Sequence, residues 1–338
     1  MMRAKLDKEL EKSNTRGRGD VLRKVGWGLK FIGPEKKSLN TKPSPLAASK
    51  SKLRPSSEAR PRKRALLIGV SYKKQKHELK GTINDVKKMK NWLIHNFDFK
   101  QENILILTED EPEPELIPTK KNIQNCMKWF MESCQAHDSL VFYFSGHGLR
   151  QPDFDGDELD GFDETICPVD FMEAGMIFDN EIFLTIVQPL PKDAKLHAIV
   201  DACHSGSILD LSFVYNRERK IWEYNVPPSV PIKQTNGGLA ITISACRDDQ
   251  VAADTDAFSA DSTMSGALTY TLTSIMKDRQ EITYGDLLDT IYRSIEAADQ
   301  QGCLAYRVLK RMLNARLLQK PQLLSSEPFD VYQTYFVL

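Results

Sequence analysis

Short apolar runs, each ending where small or polar residues begin, recur at 65–70, 104–107, 140–144, 196–200 and 239–244. Unbroken apolar runs of this length are what strands covered on both faces require, as in a parallel sheet. Between the first three runs the pattern changes to a helical period. Val86, Met89 and Leu93, with Trp92 beside them, follow Asn84 and Asp85, which read as helix caps, and Ile123, Met127, Phe130 and Met131 share one side of a second helix. Strand and helix in alternation predict βαβ units with helices on the faces of a sheet. Further helices are predicted at 181–187, 266–276 and 284–297, and the aromatic, branched ending FDVYQTYFVL is predicted as a sixth, edge strand.

Three segments break the pattern. Residues 211–238, rich in Pro, Gly and basic residues, predict a loop rather than a domain, and 109–118 (EDEPEPELIP) predicts an acidic surface connection. Residues 1–63 hold no sustained period and many Gly, Pro and Ser, so they predict a mobile tail apart from a short amphipathic start at 6–11. The folded body is expected to begin at Arg64.

With 338 residues and 41% apolar content, the chain can bury a large core. Its apolar runs are too short to cross a bilayer, so no membrane span is expected. The amino terminus lacks the apolar stretch of a secretion signal. Six scattered cysteines form neither a disulfide framework nor a zinc-ligand pattern, which predicts a reducing compartment, the cytoplasm or also the nucleus, and no zinc. The zero net charge conceals a polarised chain: residues 1–64 carry nineteen Lys or Arg against six acids, and the rest carries the opposite excess. A basic tail could bind nucleic acid or an anionic membrane surface, or simply be solvated or fold back on the acidic body; no nucleic-acid-binding motif accompanies it and a nucleic-acid partner is not expected.

Candidate chemistry sits at two strand ends. FYFSGHG (142–148) releases the chain around His147, and IVDACHSG (199–206) ends in Asp201, Cys203 and His204. In α/β sheets, reactive groups collect beyond the carboxyl ends of strands, so neighbouring strands could place His147 and Cys203 across one cleft. A thiol is mostly protonated at neutral pH; a nearby imidazolium stabilises the thiolate and later supplies a proton to a leaving amine. Backbone N–H groups of Gly148 and Cys203 are the candidate donors to the developing oxyanion. His204 is the alternative base, but adjacent residues at a strand end point apart, which favours His147. A metal centre of His147, Cys203 and His204 lacks the usual ligand spacing. The remaining cysteines, Cys126, Cys134, Cys167, Cys246 and Cys303, read as structural. The stretch DFDGDELDGFDETICPVD (153–170) packs eight carboxylates into eighteen residues: either a hydrated connection or an oxygen cage suited to calcium, though not an EF-hand.

The motifs RALLIGVSY, LKGTINDVKKMKNWL, FSGHG, DGFDETICPVD, DACHSG, ITISACRDDQVAAD, SGALTYTL and EPFDVYQTYFVL, in this order over residues 64–338, resemble plant type I metacaspases. The resemblance implies a caspase-like α/β fold with a mostly parallel six-stranded sheet. It divides the chain into a prodomain-like tail (1–63), a large-subunit-like part (64–210), an inter-subunit linker (211–238) and a small-subunit-like part (239–338). It implies a His147/Cys203 dyad and a pocket of Asp85, Ser145 and Asp201 whose two acids select Arg or Lys. Calcium is implied as activator, with Asp163, Asp179, Asn180 and Asp210 as ligands; Asn180 stands where a carboxylate is common, and Thr82 where many relatives carry cysteine. With no cysteine before Cys126, the amino-terminal zinc finger of some members is absent. Arg217, Arg219, Lys220 and Lys233 are candidate self-processing sites, with the junction 62–64 as another. The implied protein is a monomeric endopeptidase acting on proteins and peptides in cell death or stress proteolysis. The competing reading is a death-regulatory scaffold whose peptidase is dispensable.

Overall fold

In a computed structural model, the chain is described over residues 62–202, 206–245, 254–255, 265–275, 281–301 and 321–338. The expected tail, Cys203, His204, Cys246 and Cys303 lie outside the described residues. In chain order the elements used below are β1 (Lys63–Gly69), α1 (Thr82–Phe97), β2 (Ile104–Leu107), α2 (Lys120–Met131), β3 (Ser139–Ser145), β4 (Gly148–Pro152), β5 (Phe162–Ile166), β6 (Ile177–Phe178), α3 (Asp179–Ile182), β7 (Lys195–Asp201), β8 (Phe213–Asn216), β9 (Ile221–Tyr224), β10 (Leu239–Ser244), β11 (Asp254–Thr255), β12 (Ser265–Gly266), α4 (Ala267–Ile275), α5 (Tyr284–Gln301) and β13 (Gln322–Ser325).

The main sheet has the order β2-β1-β3-β7-β10-β13-β8-β9, with the first five strands parallel and the last three antiparallel. All five apolar runs therefore became parallel strands, as expected. Alternation then sorts their side chains between two cores. Leu66, Ile68, Phe142 and Phe144 face Ile123, Met127 and Phe130 of α2, whereas Ala65, Leu67, Val141 and Tyr143 face Met89 and Leu93 of α1. Full burial of each such large side chain contributes on the order of 1.5–3 kcal/mol, so the sheet centre is the stable frame on which the loops are mounted.

Three expectations are corrected. The sixth strand is β13, not the terminal segment, and it is internal because β8 and β9 extend the sheet to eight strands. The predicted loop at 211–238 thus contains a hairpin: the Tyr215 and Trp222 rings meet edge to face across it, and the Trp222 indole donates to the Phe329 carbonyl at 2.7 Å. The terminal segment instead packs as a plug, with the Phe336 ring against Trp92, Phe97, His197 and Tyr284. Neither Asn84 nor Asp85 caps α1; the helix starts one turn earlier at Gly81, which leaves the Asp85 carboxylate available for the site. The cap of α2 is Thr119, accepting from the Asn122 N–H.

Beneath the plug, His197 of β7 is 1% exposed and its Nε2 lies 2.6 Å from the Tyr284 hydroxyl. Burial pushes its pKa down to about 3. Among the described residues, no helix is long and apolar enough to cross a membrane.

Candidate active site

Strands β1, β3 and β7 run in register and end together, with Gly69 opposite Ser145 and Ser145 opposite Asp201. Each releases its chain toward the same rim. After β1, the backbone N–H groups of Ser71, Tyr72 and Lys73 converge on the Glu109 carboxylate, at 3.0 Å from Tyr72 and 2.8 Å from Lys73. This nest holds Tyr72 in a left-handed conformation (φ 53°) with its ring completely buried. Glu109, expected only as part of a surface connection, is therefore an anchor of the site.

The Tyr72 hydroxyl donates to the Cys167 carbonyl at 2.6 Å and accepts from the His147 N–H at 2.9 Å. The Cys167 N–H returns to the His147 carbonyl at 3.0 Å. Gly146 permits this approach, since a Cβ there would stand 3.1 Å from the Tyr72 hydroxyl and 2.8 Å from the Phe144 ring. The Tyr72 and His147 rings lie 4.7 Å apart. At the other end of the imidazole, His147 Nε2 is 2.7 Å from the His77 carbonyl oxygen. A carbonyl only accepts, so Nε2 carries hydrogen and, in the neutral ring, Nδ1 is the nitrogen that can take and return a proton. The His77 ring packs 5.6 Å from His147, and burial, reinforced by His147, lowers its pKa.

The three expected pocket residues are brought together. Ser145, Asp201 and Asp85 are all at most 5% exposed. One oxygen of Asp85 accepts the Gly266 N–H at 2.9 Å, and one oxygen of Asp201 accepts both the N–H (2.9 Å) and the hydroxyl (2.8 Å) of Thr269. Thr269 Oγ1 is also 2.7 Å from the Tyr143 hydroxyl. Burial, then Asp85 and Asp201, raise the Tyr143 pKa well above its ordinary value, so both carboxylates bear on one phenol. Gly266 is obligatory: a Cβ there would overlap the Asp201 carboxylate. Beside the pocket, the Thr82 hydroxyl is 2.7 Å from Ser71 Oγ.

A second group of acids lies along β4, β5 and their connection. Carboxylate oxygens of Asp153, Asp157 and Asp163 all fall within 4.8 Å of one another. Asp157 Oδ1, Glu158 Oε1 and Asp163 Oδ1 are buried without a hydrogen-bond partner among the described residues. Burial, reinforced by Asp153 and Asp157, pushes Asp163 up to about 6. Burial, reinforced by Asp210, pushes Asp179 up to about 8. Asp179 gives its oxygens to the N–H groups of Glu164 and Asn180, both at 2.7 Å. Orphaned, mutually repelling hard oxygens fit a hard divalent cation such as calcium. Of the four expected ligands, only Asp163 belongs to this trio; Asp153 and Asp157 complete it, and their four-residue spacing inside the acidic stretch was the signal for them.

Asn180 and Asp210 instead meet Lys233. Its ammonium contacts Asp210, and lies 2.8 Å from Asn180 Oδ1 and 2.6 Å from Asp157 Oδ2. Burial works against this ammonium, but Asp210 and Asp157 outweigh it and the Lys233 pKa rises. Asp210 is nonetheless pushed up, because burial and the neighbouring acids exceed the effect of Lys233. The cluster also reaches the turn after residue 205: Glu164 accepts from the Ser207 hydroxyl, and the Asp210 N–H donates to the Ser207 carbonyl. The other basic candidates sit at the β8–β9 turn, with Arg217 2.5 Å from Asp289, Arg219 2.6 Å from Glu223 and Lys220 over the Tyr332 ring. Cys126 and Cys167 are buried and Cys134 is half-buried.

A central parallel sheet flanked by helices, with an imidazole and a buried acid at the carboxyl ends of neighbouring strands and a second buried acid on the first turn of α1, is the caspase-like α/β fold. Residues 63–212 match the model described as metacaspase, peptidase C14 domain. Metacaspase-1 of Arabidopsis thaliana is 46% identical over 290 residues, covering 82% of this chain and 79% of that protein. Metacaspase-3 of the same plant is 45% identical over 280 residues, covering 82% and 76%. A solved structure, protein GSU0716 from Geobacter sulfurreducens, shares the fold at TM-score 0.51 and 17% identity, covering 81% of this chain and 98% of that one. The chain belongs to the metacaspase family of cysteine peptidases.

Proposed function

We propose that the protein is a calcium-stimulated endopeptidase that cuts after Arg or Lys with Cys203 as nucleophile and His147 as acid and base. The observation that carries this reading is the imidazole held by the His77 carbonyl at the end of β3, next to β7, whose end leads into Cys203. The Cys203 thiolate attacks the scissile carbonyl carbon while the N–H groups of Gly148 and Cys203 receive the oxyanion. Protonated His147 gives its proton to the leaving amine, the C–N bond breaks, and a thioester remains. Water then attacks the thioester, its proton passing to His147, and the C–S bond breaks to release the acid.

Asp85 and Asp201, with Ser145 between strand ends, supply a negative floor for a guanidinium or ammonium, and an aspartate side chain would be repelled there. Calcium, when bound, would neutralise the Asp153, Asp157 and Asp163 cluster. The Glu164–Ser207 and Asp210–Ser207 contacts connect that cluster to the chain segment following Cys203. Because β8 and β9 cover the flank of β13, the sheet edge carries a hairpin, which supports a monomer. Self-processing is supported at Lys233, which lies on the irregular stretch between β9 and β10.

Purified protein and its Cys203→Ala variant should be assayed on peptides with Arg, Lys or Asp before the reporter, with calcium and with chelator. Calcium-dependent cleavage after Arg and Lys that vanishes in the variant is expected. Cleavage after Asp, or retained by the variant, overturns the reading.

A further inference from the structure

Lys233 is the place where the linker and the acidic cluster become one object. Of residues 228–237, seven are exposed, but the Lys233 side chain is only 15% exposed and the Asp210 side chain it meets 3%. Its ammonium has three N–H donors, and three oxygens receive them: Asp157 Oδ2, Asp210 Oδ2 and Asn180 Oδ1. The Ser212 hydroxyl also donates to the Lys233 carbonyl at 2.9 Å, which places the backbone over the cluster. A neutral amide at position 180 fits this arrangement, since its oxygen accepts from the ammonium. Asp157 belongs both to this cradle and to the trio of hard oxygens with Asp153 and Asp163.

We propose that Lys233 is a built-in counter-ion of the acidic cluster that a divalent cation evicts, so that cation binding and release of the 227–236 segment are one equilibrium. The proposal rests on the reading that the cluster takes calcium. A cation bound to Asp157 at about 2.3–2.6 Å places a double positive charge next to the ammonium, and the two repel at a shared carboxylate. Linkage makes the effect reciprocal: whatever favours the inserted lysine weakens the cation, and whatever removes the lysine strengthens it. The bond between Lys233 and Gln234 is a candidate cut, so the chain withholds this lysine until the cation arrives.

The test uses the full chain with Cys203→Ala to prevent self-cleavage, alone and combined with Lys233→Met. Calcium affinity is measured by titration calorimetry, and trypsin cleavage after Lys233 is followed by mass spectrometry, with cleavage after Arg219 as the internal reference. The expected results are calcium affinity at least tenfold tighter in the Lys233→Met chain, and cleavage after Lys233 accelerated at least fivefold by saturating calcium while the reference stays constant. Equal affinities, or a calcium-independent cut at Lys233 in a chain that binds calcium, overturn the counter-ion and leave the calcium reading standing. Absence of calcium binding to both chains, each shown folded by its melting transition, overturns both. Magnesium in place of calcium reports whether eviction depends on charge alone.

Discussion

Tyr72→Phe removes a single oxygen from the centre of the site while keeping the ring that lies beside the His147 imidazole. Two buried groups lose that oxygen as partner, the His147 N–H at 2.9 Å and the Cys167 carbonyl at 2.6 Å. Leaving a buried donor or acceptor without its partner costs about 1–3 kcal/mol each, so a loss of roughly 2–6 kcal/mol in stability is expected. For a catalytic unit of this size, that is a fall in melting temperature of about 10 °C. The consequence for catalysis is separable. The His77 carbonyl still holds Nε2, while the His147 backbone gains freedom. Misplacement on the order of 1 Å can cost a hundredfold in rate, so kcat should fall by about ten- to a hundredfold with KM nearly unchanged, because Asp85 and Asp201 are not touched. Stopped assays on an Arg peptide across pH, with calorimetric melting of the same samples, check both parts. A variant that melts lower yet keeps full kcat would show that the hydroxyl supports the fold without placing the histidine; an unchanged melting temperature would refute the bridge itself.

Asp201→Asn keeps an oxygen for both Thr269 donors and removes only charge; a unit charge about 4 Å away in a partly shielded site is worth up to about 4 kcal/mol, so kcat/KM for Arg peptides should fall a hundredfold or more. Retained preference for Arg would assign the selection elsewhere. Gly266→Ala drives a Cβ into the Asp201 carboxylate, and forced overpacking of about 1–3 kcal/mol should lower the melting temperature and the Arg-peptide rate together, whereas a variant as active as the parent would remove Gly266 from the pocket wall. His197 is held neutral, with its folded pKa depressed to about 3 against an ordinary 6.5. The stability this supplies is complete above pH 6.5 and drains away as pH falls from there toward 3, at about 1.4 kcal/mol per pH unit. The melting-temperature gap between the parent and His197→Gln should therefore shrink between pH 7.5 and pH 5; a constant gap would show that the buried imidazole does not set it.

The parallel strands and their intervening helices were legible because buried strands and amphipathic helices write their periods directly into sequence. Asp85, Ser145 and Asp201 were read only through resemblance; Ser145 and Asp201 meet because their strand ends are in register, and Asp85 joins them from the first turn of α1. What stayed hidden depends on backbone. The His77 carbonyl contributes an atom every residue owns, so no side-chain pattern marks it. Glu109 looked like one more charge in an acidic connection; its role comes from facing the end of β1 from the end of the adjacent strand. The β8–β9 hairpin was masked by basic and proline-rich neighbours, since only Tyr215, Trp222 and the Phe329 carbonyl give it a place to pack. Lys233 read as ordinary loop charge because its partners lie 23, 53 and 76 positions away along the chain.

The order β7-β10-β13-β8 interleaves the two halves of the polypeptide on either side of the 217–236 segment. If that segment were severed, β10 would still be clamped to β7 of the earlier half, and β13 would still be clasped by β8. The pieces would be threaded through one another like laced fingers. Scission would change the freedom of the intervening stretch without dividing the body, and a nicked molecule would run as two bands in detergent while sedimenting as one particle in buffer.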